Sequence, residues 1–187
     1  MARPAPPGPA GASRCCRSAT RSSPSSTCAS CKTEKASDVA PAAPPRVLLD
    51  VNVLIALLDD AHVFARRANE WLDAAPRRIA TCPIVENGVV RIMSAPAYSA
   101  LQRTSPEQVA DGLKALAQGL DHQFWPDDQS LLDDSLFDFS RLHGHRQITD
   151  AYLLALAVRH GGVFASFDAA VPLQAVRGAA RRHLLEV

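Results

Sequence analysis

The feature that most constrains the fold is a pair of adjoining apolar runs split by one acid, "RVLLDVNVLIALL" at residues 46–58. Pro44 and Pro45 fence off the first run upstream. "RVLLDV" is short, apolar and rich in β-formers, so it reads as a buried first strand. The second run reads as the helix that follows, which leaves Asp50 at the turn between them. A carboxylate that ends a buried strand needs a partner or water.

From Arg46 onward, strand and helix patterns alternate, which predicts an α/β fold around a mainly parallel sheet. Phe64, Ala68, Trp71, Leu72 and Ala75 fall at helical spacing, and Pro76 closes that helix. "RRIAT" at 77–81 reads as the second strand. "CPIVENGVVRIMS" reads as a helix with Pro83 at its first position, where the missing N–H costs nothing, and Glu86 sits about one turn in. "SPEQ" at 105–108 is a capping-box pattern that opens a helix through about Leu120, and "DHQFW" follows as a short third strand. Leu132, Leu136 and Phe139 predict an amphipathic helix over 130–142, with Gly144 at its end. In "ITDAYLLALAVRHGG", Thr149 is placed to cap a helix, Asp150 lies in the first turn and Gly161 follows the last. This helix is apolar nearly all round, so it is expected to be buried against the sheet. "VFASFD" reads as the fourth strand, and "RRHLLEV" as a last edge strand.

Four acids then occupy comparable places. Asp50 and Asp168 end predicted strands, while Glu86 and Asp150 lie in first turns of helices. In an open parallel sheet, ligands bind in the crevice beyond the carboxyl ends of the strands, so all four can converge there. Each has a plain structural alternative: Asp150 complements the helix dipole, Asp168 caps a following helix, and Glu86 is an exposed first-turn acid. Gathered in one crevice, however, like charges repel unless a cation neutralises them. A carboxylate-only site suits a hard divalent cation such as magnesium or manganese. Such a site serves phosphodiester hydrolysis, where the metal activates water and offsets developing charge.

"LLDVNVLIALL", "CPIVENGVVRI", "ITDAYLLALAVRHGG" and "SFD" resemble, in order and spacing, the motifs of PIN-domain ribonucleases, most closely the VapC toxins of toxin–antitoxin pairs. The resemblance covers residues 46 to about 186. It implies a three-layer α/β/α fold with a central mainly parallel sheet and RNA cleavage that depends on Mg2+ or Mn2+. It also implies a homodimer and a cognate antitoxin partner. The four motif acids map onto Asp50, Glu86, Asp150 and Asp168. Asp50 and Asp150 are expected as direct metal ligands, with Glu86 and Asp168 acting directly or through water. Asn52 is expected to orient Asp50 or that water. Thr149 either orients the third motif or only caps its helix. Arg91, on one helix face with Asn87, either contacts phosphate or is a solvated surface arginine. Pro172, soon after Asp168, is expected to shorten any helix there.

Competing readings fare less well. Haloacid-dehalogenase-type phosphatases carry Asp-x-Asp after the first strand, but Asn52 stands at the second position and cannot act as acid or base. No Gly-x-Gly-x-x-Gly follows the first strand, which removes dinucleotide binding. "HGHR" at 143–146 lacks a neighbouring cysteine to complete a zinc site. The non-enzyme alternative is a catalytically inactive PIN-type module that binds RNA or antitoxin.

The formal net charge of +1 singles out neither nucleic acid nor membrane as a partner. No run approaches the roughly 18 apolar residues needed to span a bilayer, so a cytoplasmic protein with no membrane association is expected. Residues 1–45 differ sharply from the rest: they are rich in Pro, Ser and Arg and nearly free of large apolar side chains. They read as a disordered extension preceding a PIN-like domain at 46–187. A transit peptide and a true start further downstream are the alternatives. Cys15, Cys16, Cys28 and Cys31 lie in this extension, and Cys28-x-x-Cys31 lacks the second ligand pair of a zinc site.

Overall fold

A computed structural model describes residues 43–99 and 103–187. The expected extension, with Cys15, Cys16, Cys28 and Cys31, lies outside the described residues except for 43–45. Among those described, five short strands form one parallel sheet: β1 (Val47–Leu49), β2 (Arg78–Thr81), β3 (Asp121–Phe124), β4 (Val163–Ser166) and β5 (Leu184–Glu186). Their order is β3-β2-β1-β4-β5. The α-helices among the described residues are α1 (Val51–Leu58), α2 (Ala65–Asp73), α3 (Pro83–Met93), α4 (Pro106–Gly119) and α5 (Gln147–Arg159).

The strand order explains the layers. From β1 the chain steps outward to β2 and then β3, and right-handed crossovers put α1 to α4 on one face. It then returns past β1 to β4, which sends α5 to the opposite face. The result is the three-layer α/β/α arrangement. Val47, Leu48 and Leu49 of β1 pair with Ile79 and Ala80 of β2 on one side and with Val163, Phe164 and Ala165 of β4 on the other. Leu48, Leu49, Ile79, Phe164 and Ala165 are essentially inaccessible to water, and Ala151 to Ala157 of α5 are buried without a break. The unpatterned apolar body of α5 is therefore a sheet-covering helix, as its sequence implies. Because the chain leaves β1 in one direction and β4 lies in the other, the sheet's switch point falls between these strands. The crevice of such a fold opens at their carboxyl ends.

Three local expectations need correction. The helix predicted over 130–142 is absent: the segment consists of turns, an isolated bridge between Phe137 and Val176, and one 3-10 turn at Phe139–Arg141. Short polar side chains capture the backbone amides that a helix would have used. Ser130 Oγ accepts from Leu132 N, Asp133 Oδ1 from Ser135 N, and Asp138 Oδ1 from Ser140 N. Gly144 accordingly lies in the turn leading to α5, which starts at Gln147, ahead of the expected cap, and keeps Asp150 in its first turn as read. Thr149 is thus inside the helix and does not cap it. No α-helix follows Asp168; Leu173–Ala175 forms only a 3-10 turn after Pro172.

Other signals are realised as read. Ser105 and Gln108 form the reciprocal capping box, Pro83 opens α3, and Gly161 takes φ 62° just past α5.

Candidate metal-binding and nuclease cleft

Asp50 follows β1 directly and serves as N-cap of α1. It is only 6 % exposed. Its Oδ1 accepts from Val51 N at 2.7 Å and its Oδ2 from the Ser166 hydroxyl at 3.1 Å. Burial raises the Asp50 pKa most; the Ser166 and Val51 bonds oppose this, and the charge of Asp168 adds to it. Ser166 is itself 1 % exposed, and its Oγ also accepts from Asp168 N at 3.1 Å. One hydroxyl thus ties the acid after β1 to the backbone after β4. Asp168 is exposed, and its Oδ1 accepts from Ala170 N at 2.7 Å.

Asp150 and Asp50 line one cleft of about 600 Å3 with Asn52, Asn87, Arg91, Asp127 and Thr149. The pKa of Asp150 is pushed up to about 6, first by burial, then by the charges of Asp50 and Asp168. Among the described residues no hydrogen bond or ion pair stabilises its carboxylate. Arg91 reaches the cleft without an ion pair among the described residues. Asn52 lines the cleft without bonding to Asp50; Ser166 and Val51 N hold that side chain.

Gly88 lets α3 close on the start of α1. A Cβ there would lie 2.8 Å from Val51 Cγ2, so only glycine allows this approach of the two cleft walls.

Glu86 is bonded outside the acid cleft. It accepts from Thr81 Oγ1 at 2.6 Å, and Thr81 Oγ1 lies 2.8 Å from His122 Nε2. Since the threonine proton goes to Glu86, His122 supplies the other, as its Nε2–H tautomer. Burial lowers the His122 pKa, against the pull of Glu86, and Arg46 lowers it further. Glu86 lines a separate groove with Val90, Leu113 and Lys114 of α3 and α4. Of the four expected acids, Asp50, Asp150 and Asp168 interact through their charges, while Glu86 is held by Thr81 at the end of β2.

Sequence reasoning missed two residues of this region. Asp127 lies three residues past β3, whereas Asp50 directly follows β1, so a strand-end rule widened by one short turn also reaches "FWPDD". Burial raises its pKa, while the Cys82 thiol and Ile84 amide at the start of α3 oppose the rise. Ser166 carried a weaker signal, a hydroxyl two residues before Asp168 on a strand beside β1.

The donor chemistry fits a hard divalent cation. Oxygen ligands dominate the cleft, and Asp150 bears unrelieved repulsion from two neighbouring carboxylates. No group of three or more His, Cys, Asp or Glu side chains among the described residues is already arranged to hold a metal. The fit therefore rests on the Asp50–Asp150 pair together with the charge of Asp168.

A PIN-domain family model matches residues 47–177. Ribonuclease VapC44 of Mycobacterium tuberculosis is 48 % identical over 143 residues, which cover 74 % of this chain and 97 % of that protein. Ribonuclease VapC39 of the same organism is 41 % identical over 132 residues, 70 % of this chain and 94 % of that one. A solved toxin–antitoxin complex from Klebsiella pneumoniae aligns with a TM-score of 0.45 at 21 % identity, over 75 % of this chain and 99 % of that one. By the family match and by the identity to these relatives, the chain belongs to the PIN-domain family, in its VapC branch.

Proposed function

We propose that the protein is an endoribonuclease that uses Mg2+ or Mn2+ and acts as the toxin of a toxin–antitoxin pair. The observation that carries this reading is the Asp50–Asp150 pair in one cleft, with Asp150 pushed up to a pKa of about 6 by burial and then by the charges of Asp50 and Asp168. The ribonuclease names of its relatives support the reaction class.

Asp50 and Asp150 would hold the cation, with Asp168 close enough to add negative charge. A bound cation would acidify water for attack on phosphorus and offset charge on the phosphate. Ser166 fixes one oxygen of Asp50 and leaves the carboxylate oriented toward the cleft. Arg91 is the cation placed to meet a phosphate oxygen. Asn52 and Thr149, which also line the cleft, offer further hydrogen bonds to substrate or water. Glu86 would join the site only by leaving Thr81. The reading includes a homodimer and a cognate antitoxin protein, both drawn from the family resemblance. Among the described residues no helix is long and apolar enough to cross a membrane.

The test is cleavage of structured RNA with Mg2+ or Mn2+, with and without chelator, beside Asp50→Ala and Asp150→Ala. Cleavage should require the cation and fall at least about 100-fold in each variant. Equal cleavage by wild type and variants would refute the assignment. RNA retained without turnover would mark a catalytically inactive binding module instead. Expression without antitoxin should slow bacterial growth, and Asp150→Ala should relieve it.

A further inference from the structure

Phe64 occupies the N-cap of α2, a position that favours Ser, Thr, Asp or Asn, and it makes no side-chain capping bond. It is nevertheless 39 % exposed, so neither capping nor full burial accounts for it. Its ring lies 4.6 Å from that of Phe167, tilted by 32°. His62 continues the row, 5.9 Å from Phe64, and its Nδ1 accepts from Phe64 N, which fixes the loop. The Arg67 guanidinium lies 5.9 Å from the centre of the Phe167 ring.

The position of this row matters more than its apolarity. Phe167 sits between Ser166, which holds Asp50, and Asp168. Arg67 reaches Glu186, at the carboxyl end of β5, at 3.5 Å, so the rings lie along the same sheet edge as the acids. That ion pair is half-exposed and weak, which leaves the guanidinium available to a phosphate.

We propose that Phe64 and Phe167, flanked by His62 and Arg67, form a stacking platform for an unpaired nucleobase of single-stranded RNA beside the bond to be cut. The proposal rests on the ribonuclease reading of the cleft. Every base has a π-face, so such a platform positions the strand without selecting sequence, and the neighbouring cation meets its phosphate. Continuity with Asp168 through a single peptide bond, together with that cation, favours nucleic acid over a protein partner at this patch.

The experiment uses the full chain carrying Asp50→Asn, in chelator, so that RNA binds without being cut. The probe is a set of unstructured RNA 12-mers, each with one 2-aminopurine at a different position. Binding should quench 2-aminopurine at one position, as stacking does. Phe64→Leu, which keeps the apolar volume, should remove that quench and weaken binding about tenfold. Phe64→Trp should restore both, and matched thermal melts exclude loss of fold. Unchanged quenching and affinity in Phe64→Leu would overturn the platform, as would a Phe64→Leu defect confined to capture of the antitoxin. In the otherwise wild-type chain, RNA cleavage that needs Asp150 but is indifferent to Phe64→Leu would sink the platform and leave the nuclease reading standing. Absence of RNA binding by the unsubstituted chain would overturn both.

Discussion

Asp150→Asn should stabilise the metal-free protein at neutral pH. The native carboxyl holds its proton to about pH 6, whereas the ordinary value is 3.8. The native state therefore binds more protons than the unfolded chain between these values, and stability falls as pH rises through that window. Below about pH 4 both states are protonated and Asp150 contributes nothing. Above pH 6 the full penalty is present. At roughly 1.4 kcal/mol per pH unit, the rise is equivalent to about 3 kcal/mol. Asp150 is part-exposed, so solvent screening reduces this to about 1.5 kcal/mol. No hydrogen bond to Asp150 is lost in the substitution, because none is made among the described residues. For a domain of this size the gain corresponds to about 3–6 °C in Tm. Melts of both proteins in chelator, at steps from pH 4.5 to 8, provide the measurement. The Asn variant should melt higher at pH 7.5, and the two curves should converge toward pH 4.5. An Asn variant no more stable at pH 7.5, or a gain independent of pH, would refute the account of Asp150 as a carboxylate destabilised by burial and by its charged neighbours.

Two further outcomes follow from the same geometry. Ser166→Ala removes the hydroxyl that bonds Asp50 and accepts from Asp168 N; it should cost about 1–3 kcal/mol in urea unfolding at pH 7.5 and reduce RNA cleavage. An unaltered unfolding midpoint would show that Ser166 is a bystander. Gly88→Ala brings a Cβ to 2.8 Å from Val51 Cγ2, and overpacking outweighs the better helix propensity by about 1 kcal/mol. Val51→Ala in the same chain should recover most of that loss, and strictly additive losses in the double variant would contradict a direct clash.

The fold was legible wherever period, length and punctuation agreed. β1, α3, α4 and α5 are bounded by Pro44–Pro45, Pro83, the Ser105–Gln108 box and Gly161, signals that act on the backbone locally. The segment 130–142 failed because a helical apolar period competed with three side chains, Ser130, Asp133 and Asp138, that bond amides two residues on. Period describes which face would be buried, but not whether the backbone amides are free to form a helix. Thr149 misled for a related reason: a cap residue type carries no information when the chain before it is already helical.

The site divides along the same line. Strand ends are places that topology decides, and the sheet's reversal between β1 and β4 sets Asp50 beside Ser166 and near Asp168. Positions relative to strands could be read from the chain; side-chain directions on α3 could not. Glu86 and Asn87 are consecutive, so helix geometry turns them about 100° apart, and a motif fixes which residue is present without fixing which one faces the acids. Thr81 Oγ1, at the end of β2, donates to Glu86 at 2.6 Å, a contact between strand end and helix that no period or motif in the chain announces, because it depends on which way one side chain of α3 turns.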